Sequence, residues 1–281
     1  MNESFVVPDK EIAAFGKGIA MNKQEGMYLY GIADPSIAKL LPPPLTLPDP
    51  EHPMAYIYIV DIKEPTFAPR YAEGGIGVIA QYEDVVGLYF FNVMLSGPGA
   101  LMGAYIGRET SGLPKKLCES IVAKREGDHA HAYIERGGVR LVDVEIEIGS
   151  YNIPDVNMEQ EKSGEMPEGM LLDGGCLLYR YRFDAEVGAR DMQLVFYDSP
   201  TRYFSWEPAS ATVKLASTPD DPWGSIPLQT VLGAAWSKCD NSIAGTTLLH
   251  KYPDSEAAEV MRYLFAGRYD QTLLKKKERT R

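Results

Sequence analysis

MAYIYIVDI, running from Met54 to Ile62, has a hydrophobic period of two. In an extended chain it sets Tyr56, Tyr58, Val60 and Ile62 on one side and Ala55, Ile57, Ile59 and Asp61 on the other, which is the signature of a β-strand rather than a helix. The same reading predicts strands over Met27 to Ala33, Tyr71 to Tyr82, Val85 to Met94, Glu119 to Arg125, His129 to Glu135, Val139 to Ile148, Leu177 to Phe183, Gln193 to Tyr197 and Ala211 to Ala216. Gly127-Asp128 and Gly137-Gly138 fall between paired apolar runs, as expected of antiparallel hairpins. Helices are predicted over Pro35 to Leu41, capped by Asp34, over Gly99 to Arg108, and over Ser255 to Phe265, opened by Pro253-Asp254 and closed by Gly267. The Pro-rich stretch Leu41 to Pro53 and the polar stretch Pro154 to Gly175 read as loops, and strand patterns continue on both sides of each. The expectation is one α+β domain over residues 1–281, predominantly antiparallel β, with a barrel-type sheet around a buried pocket.

Composition narrows the function classes. Of 281 residues, 28 are Lys or Arg and 39 Asp or Glu, a formal charge of −11. Such a balance opposes binding to nucleic acid or an anionic membrane. The basic tail Lys275, Lys276, Lys277, Arg279, Arg281 reads as a solvated terminus. The longest apolar runs are too short to span a bilayer and the start has no signal-peptide shape, so a cytoplasmic location is expected. Cys118, Cys176 and Cys239 are widely spaced and contain no CxxC, which favours small core residues over disulfides or a thiolate metal site.

Two motifs read as structural. Gly97-Pro98-Gly99-Ala100-Leu101-Met102-Gly103 follows an apolar strand and opens a helix, as a dinucleotide-binding turn does, but hairpins come after it where repeated βαβ units are needed. A nucleotide-dependent oxidoreductase is therefore set aside. His129 and His131 leave one face of a strand at a spacing that can chelate a metal. With no third ligand evident in the sequence, an exposed hairpin face is the reading, and neither metal nor cofactor is expected.

The segment with chemical content is Ile106 to Leu117, IGRETSGLPKKL. The small apolar helix before it reads as buried, so the chain leaving it carries two lysines out of a hydrophobic interior. A lysine nucleophile must be uncharged, and with a pKa near 10.4 only about one free lysine in 2,500 is so at pH 7. An apolar pocket or a neighbouring cation shifts that balance.

GRETSGLPKKL, together with Arg70-Tyr71-Ala72-Glu73-Gly74, closely resembles the acetoacetate decarboxylase superfamily, whose signature is Gly-Arg-Glu, a spacer, then Pro-Lys-Lys-Leu. The resemblance extends to Asp34 to Leu45 and to Ala209 to Trp236. It implies that Lys115 is an imine-forming nucleophile, a role for which the superfamily is a standing example. It further implies that Lys116 supports Lys115, that Glu73 carries protons, and that Arg108 and Glu109 brace the turn. Where acetoacetate decarboxylases have a second carboxylate, the strand Ala55 to Val60 offers none and Tyr58 stands near that place. Lys23 is the nearest basic candidate for their N-terminal arginine. Tyr58 and Tyr71 become candidate hydroxyl donors. The expectation is a Schiff-base lyase and homo-oligomer acting on a small keto acid, leaning toward pyruvate aldol condensation with an aldehyde and dehydration. Acetoacetate decarboxylation and a non-catalytic small-ligand-binding barrel are the alternatives.

Overall fold

The computed structural model describes residues 4–153, 169–186 and 188–274. The basic tail and most of the loop expected from Pro154 lie outside those residues. Fourteen strands form one sheet: β1 (Ala20–Ala33), β2 (Met54–Pro65), β3 (Tyr71–Tyr82), β4 (Val85–Ser96), β5 (Lys115–Leu117), β6 (Ser120–Glu126), β7 (His129–Arg136), β8 (Val139–Ile148), β9 (Met170–Leu172), β10 (Gly175–Asp184), β11 (Gly188–Asp198), β12 (Thr201–Leu215), β13 (Leu228–Ser242) and β14 (Gly245–Lys251). Among the described residues the α-helices are α1 (Asp9–Lys17), α2 (Ala100–Ile106) and α3 (Asp254–Arg268), with short tight helices over Trp223–Ser225 and over Pro35–Leu40, the latter capped by Asp34 accepting from the Ser36 amide at 2.8 Å.

Strand order is β14-β11-β10-β4-β3-β2-β1-β13-β12-β8-β7-β6, nearly all antiparallel. The sheet curls but does not close into a barrel: among the described residues β14 and β6 stand at its two ends, and β6 folds across β2, β3 and β4 instead of pairing with β14. Curling makes two interiors. Ala55, Ile57 and Ile59 of β2 join Met27, Leu29, Ile76, Val78, Ile134, Val142 and Val144 in a dry core. The other side of the same strands sends Tyr28, Tyr58, Val60, Ile62, Tyr71 and Phe90 into a second cluster. This is the two-sided division expected from the period of MAYIYIVDI.

Two local features depart from expectation. Two parallel pairings occur among the described residues: β10 meets β4 with Cys176 opposite Leu88, and β5 returns beside β4 with Val93 opposite Lys115 after passing through α2, a strand whose three residues are too few for a period to reveal. Helix α2 is also not buried all round. Ala100, Gly103 and Ala104 face inward, whereas Leu101, Met102 and Tyr105 are about half exposed. The helix lies over the second interior as a cover, so one face meets protein and the other meets solvent.

Candidate active site

Beneath α2, the second interior opens into a cavity of about 470 Å³. Its walls come from β1 to β4, the α2–β5 connection, and β10 to β13. Tyr28 and Tyr30 of β1 lie opposite Tyr58 and Tyr56 of β2, so the two-residue spacing within each strand puts four phenol rings on one wall. Cys176 and Cys239 line it too. Burial pushes their thiols up to about 12 and about 11, so at neutral pH they are uncharged wall and not nucleophiles.

The α2–β5 connection explains how the lysine reaches this space. After Ile106 the helix widens into one π turn over Gly107–Ser111, in which the Gly112 amide donates to the Gly107 carbonyl at 3.1 Å. Such turns put one extra residue into a helix and re-aim the residues beyond it. Gly112 ends the turn at φ +91, and a Cβ there would sit 2.5 Å from the Tyr179 carbonyl oxygen. Gly107 is required for a different reason: a Cβ on it would lie 2.8 Å from Cδ and Cε of Lys115 and 3.0 Å from its Nζ. The two glycines of GRETSG thus turn the chain and vacate the corridor through which Lys115 extends.

Lys115 is 2% exposed. Its Nζ donates to Oε2 of Glu73 at 2.7 Å and makes a long contact of 3.4 Å with the Gly103 carbonyl. The other carboxylate oxygen of Glu73 accepts from the Tyr58 hydroxyl at 2.7 Å. Burial, reinforced by the Glu73 charge, drives the Tyr58 phenol well above the usual tyrosine range, which keeps it a donor. Tyr71 is displaced from this line. Its ring packs under Gly103, and its hydroxyl is buried without a hydrogen-bond partner among the described residues; burial and then Glu73 raise its phenol likewise.

Lys116 points the opposite way, as alternation on a strand demands. Its Nζ donates to the Asp220 carbonyl at 2.9 Å and to Asp221 at 2.9 Å, and lies 3.1 Å from Asp270. Arg136 joins the same two carboxylates. The cluster fastens β5 to the Asp220–Asp221 loop and the chain after α3.

The remaining expected residues lie outside the cavity lining. Arg108 stacks over the Tyr269 ring at 5.2 Å, Glu109 is exposed, and the two form no ion pair with each other among the described residues. Lys23 sits at a bulge of β1 with a φ of +51, paired at the surface with Glu64 at 2.6 Å. Its neighbour Gln24 lines the cavity instead. Sequence reading also passed over Thr110, Ser111, Tyr197 and Tyr203. It passed over Tyr28, Tyr30 and Tyr56 as well, for which the Tyr-x-Tyr spacings of β1 and β2 were the available signal.

A relative from Lactiplantibacillus plantarum described as "CLA biosynthesis isomerase" is 33% identical over 283 residues, covering 99% of this chain and 98% of that protein. Acetoacetate decarboxylase from Legionella pneumophila superposes with a TM-score of 0.69 at 15% identity, covering 84% of this chain and 88% of that one. The enduracididine biosynthesis enzyme MppR, complexed with the condensation product of pyruvate and imidazole 4-carboxaldehyde, superposes at 0.65 with 13% identity, covering 90% and 98%. The sequence profile described as "Acetoacetate decarboxylase (ADC)" matches residues 7–253, and the chain therefore belongs to the acetoacetate decarboxylase family.

Proposed function

We propose that the chain activates a ketone as an imine on Lys115 while Glu73 moves protons at the carbons beside it, and that the net reaction is migration of a carbon–carbon double bond in an unsaturated, largely apolar ketone. The uncharged amine adds to the carbonyl carbon and water leaves. The protonated imine then draws electrons from the adjacent C–H bond, whose proton passes to the Glu73 carboxylate. With a double bond one carbon further on, the product is a dienamine. Return of the same proton to its far end leaves the double bond conjugated, and water restores ketone and lysine.

The observation that carries this reading is the composition of the cavity. Lys115 is the sole basic side chain among the described lining residues, Glu73 stands beside it, and tyrosines and apolar groups make up most of the remaining wall. A small keto acid would bring its carboxylate next to Glu73 with no second cation to receive it, whereas a neutral ketone with an apolar body meets no such repulsion. A 33% identical relative described as an isomerase points the same way.

A second reading keeps the imine and changes the substrate: a keto-acid lyase, by pyruvate aldol condensation and dehydration or by acetoacetate decarboxylation. Shared fold with acetoacetate decarboxylase and with MppR, complexed with pyruvate in one structure, favours it. One experiment separates the readings. The protein is incubated with a β,γ-unsaturated apolar ketone, with pyruvate plus an aldehyde, or with acetoacetate; borohydride is added and peptides are mapped by mass. A Lys115 adduct with the apolar ketone, and growth of conjugated-enone absorbance without borohydride, are expected. Adducts and turnover confined to the keto acids assign the second reading, and no adduct on Lys115 with any of them removes the imine. Glu73→Gln should still form the adduct but exchange solvent deuterium at least about a hundredfold more slowly.

A further inference from the structure

The hairpin of β7 and β8 brings together a group of metal-ligating side chains that the Lys115 chemistry does not use. Its register sets His129 opposite Glu147 and His131 opposite Glu145. Alternation directs Ala130, Ala132, Val144 and Ile146 into the dry core, all at most 1% exposed, and leaves His129, His131, Asp143, Glu145 and Glu147 together on the outer face. The third ligand missing from the sequence motif lies on the other arm, beyond the Gly137-Gly138 turn.

We propose that this face is a binding site for a zinc-class divalent cation, held by His131, Asp143 and Glu145. Nε2 of His131 lies 2.7 Å from Asp143 Oδ1 and 3.6 Å from Glu145 Oε1. One ligand atom each from His131, Asp143 and Glu145 fall within 4.8 Å of one another. A tetrahedral zinc ion with bonds of about 2.0–2.1 Å sets its donors about 3.3 Å apart, inside the range of these spacings. An imidazole with two carboxylates is a ligand set that zinc and its neighbours in the first transition row accept. His129 stands beyond the ligands, with Nδ1 2.8 Å from Glu147 and Nε2 3.0 Å from Glu145 Oε2, where it orients the Glu145 carboxylate. Both strands are packed on their reverse side, so the ligands stand on rigid elements. Three protein ligands from the two strands staple the arms of the hairpin and leave the fourth tetrahedral position to water. The surrounding charges are Arg140, which donates to the second oxygen of Asp143 at 2.8 Å, and Lys124 and Lys214 at the flanking register positions of β6 and β12.

Chelator-washed full-length protein titrated with ZnCl₂ in a calorimeter should take up one equivalent, and Co²⁺ in its place should show the visible bands of a four-coordinate ion. Zinc should raise the melting temperature of the native chain and not that of His131→Ala, whose affinity should fall at least about tenfold. Far-ultraviolet circular dichroism checks that the variants fold. Asp143→Asn with Glu145→Gln serves as a second variant that keeps both histidines, and it too should lose zinc. Absence of saturable uptake, or uptake that persists in His129→Ala with His131→Ala through His52 or His250, overturns the proposal.

Discussion

The two sides of β5 hold consecutive lysines, both almost fully buried, in opposite surroundings. Behind the strand, Lys116 meets Asp221, Asp270 and the Asp220 carbonyl, enough acceptors for all three donors of an ammonium group. In front, Lys115 meets one carboxylate and a cavity. Burial is common to both and so does not separate reactive from structural. What separates them is an open direction: the first lysine is enclosed by its partners, and the second has a face left over for a ligand. The contrast also moves the source of activation. A lysine whose charge is taken up by two carboxylates behind the strand is poorly placed to repel a charge in front of it, so under the proposed function Lys116 would serve Lys115 through position.

The strongest way to break this comparison is to remove each lysine's function in turn. Lys115→Met should abolish the borohydride adduct and lower turnover by more than about 10⁴-fold, the upper end of what one proton-transfer group contributes, because the nucleophile goes as well. The melting temperature should fall, because Glu73 loses its 2.7 Å partner and stays buried with Tyr58 alone, so the adduct is assayed at temperatures where the variant is folded. Asp221→Ala addresses the other side. It leaves Lys116 and Arg136 with one carboxylate, Asp270, between two cations, so unfolding in denaturant should show a loss of about 3 kcal/mol while the adduct on Lys115 still forms at temperatures where the variant is folded. If Asp221→Ala instead kept stability and lost the adduct, the division into strut and reagent would be wrong. Tyr58→Phe sharpens the picture by a smaller amount. Losing a hydrogen bond to the Glu73 carboxylate should slow proton transfer about tenfold. Because burial and Glu73 hold the Tyr58 phenol protonated well above the usual tyrosine range, any alkaline limb in the pH–rate profile should survive in the phenylalanine variant unchanged.

Strands with clear alternation were readable, and Tyr71–Tyr82 and Val139–Ile148 form over the expected residues. The misses have physical causes. Leu228–Ser242 is a long strand, but Gly, Ala and Ser are frequent in it and no side alternates cleanly. Helix α1 buries nothing, so no core pattern marks it. At the site, Lys115 and Glu73 lie 42 residues apart and only family resemblance joined them in advance. Asp221 and Asp270 were invisible as partners of Lys116 because loop residues brought together by tertiary packing leave no local period. The acids facing His131 were closer to view, since a hairpin turn at Gly137-Gly138 already fixes which residues of the second arm stand opposite the first.

The π turn has a consequence for how this protein can change. The same segment that carries the proposed nucleophile, Ile106 to Leu117, also forms one wall of the cavity. Enlarging the cavity from that side moves the Lys115 amine, so under the proposed function substrate range and reactivity are mechanically tied there. The opposite wall, built from Tyr28, Tyr30, Tyr56 and Tyr203 on strands already anchored in the sheet, has no such tie. Divergence toward new substrates is therefore freest among the tyrosines, where one ring can be exchanged for a smaller group while the lysine stays where it is.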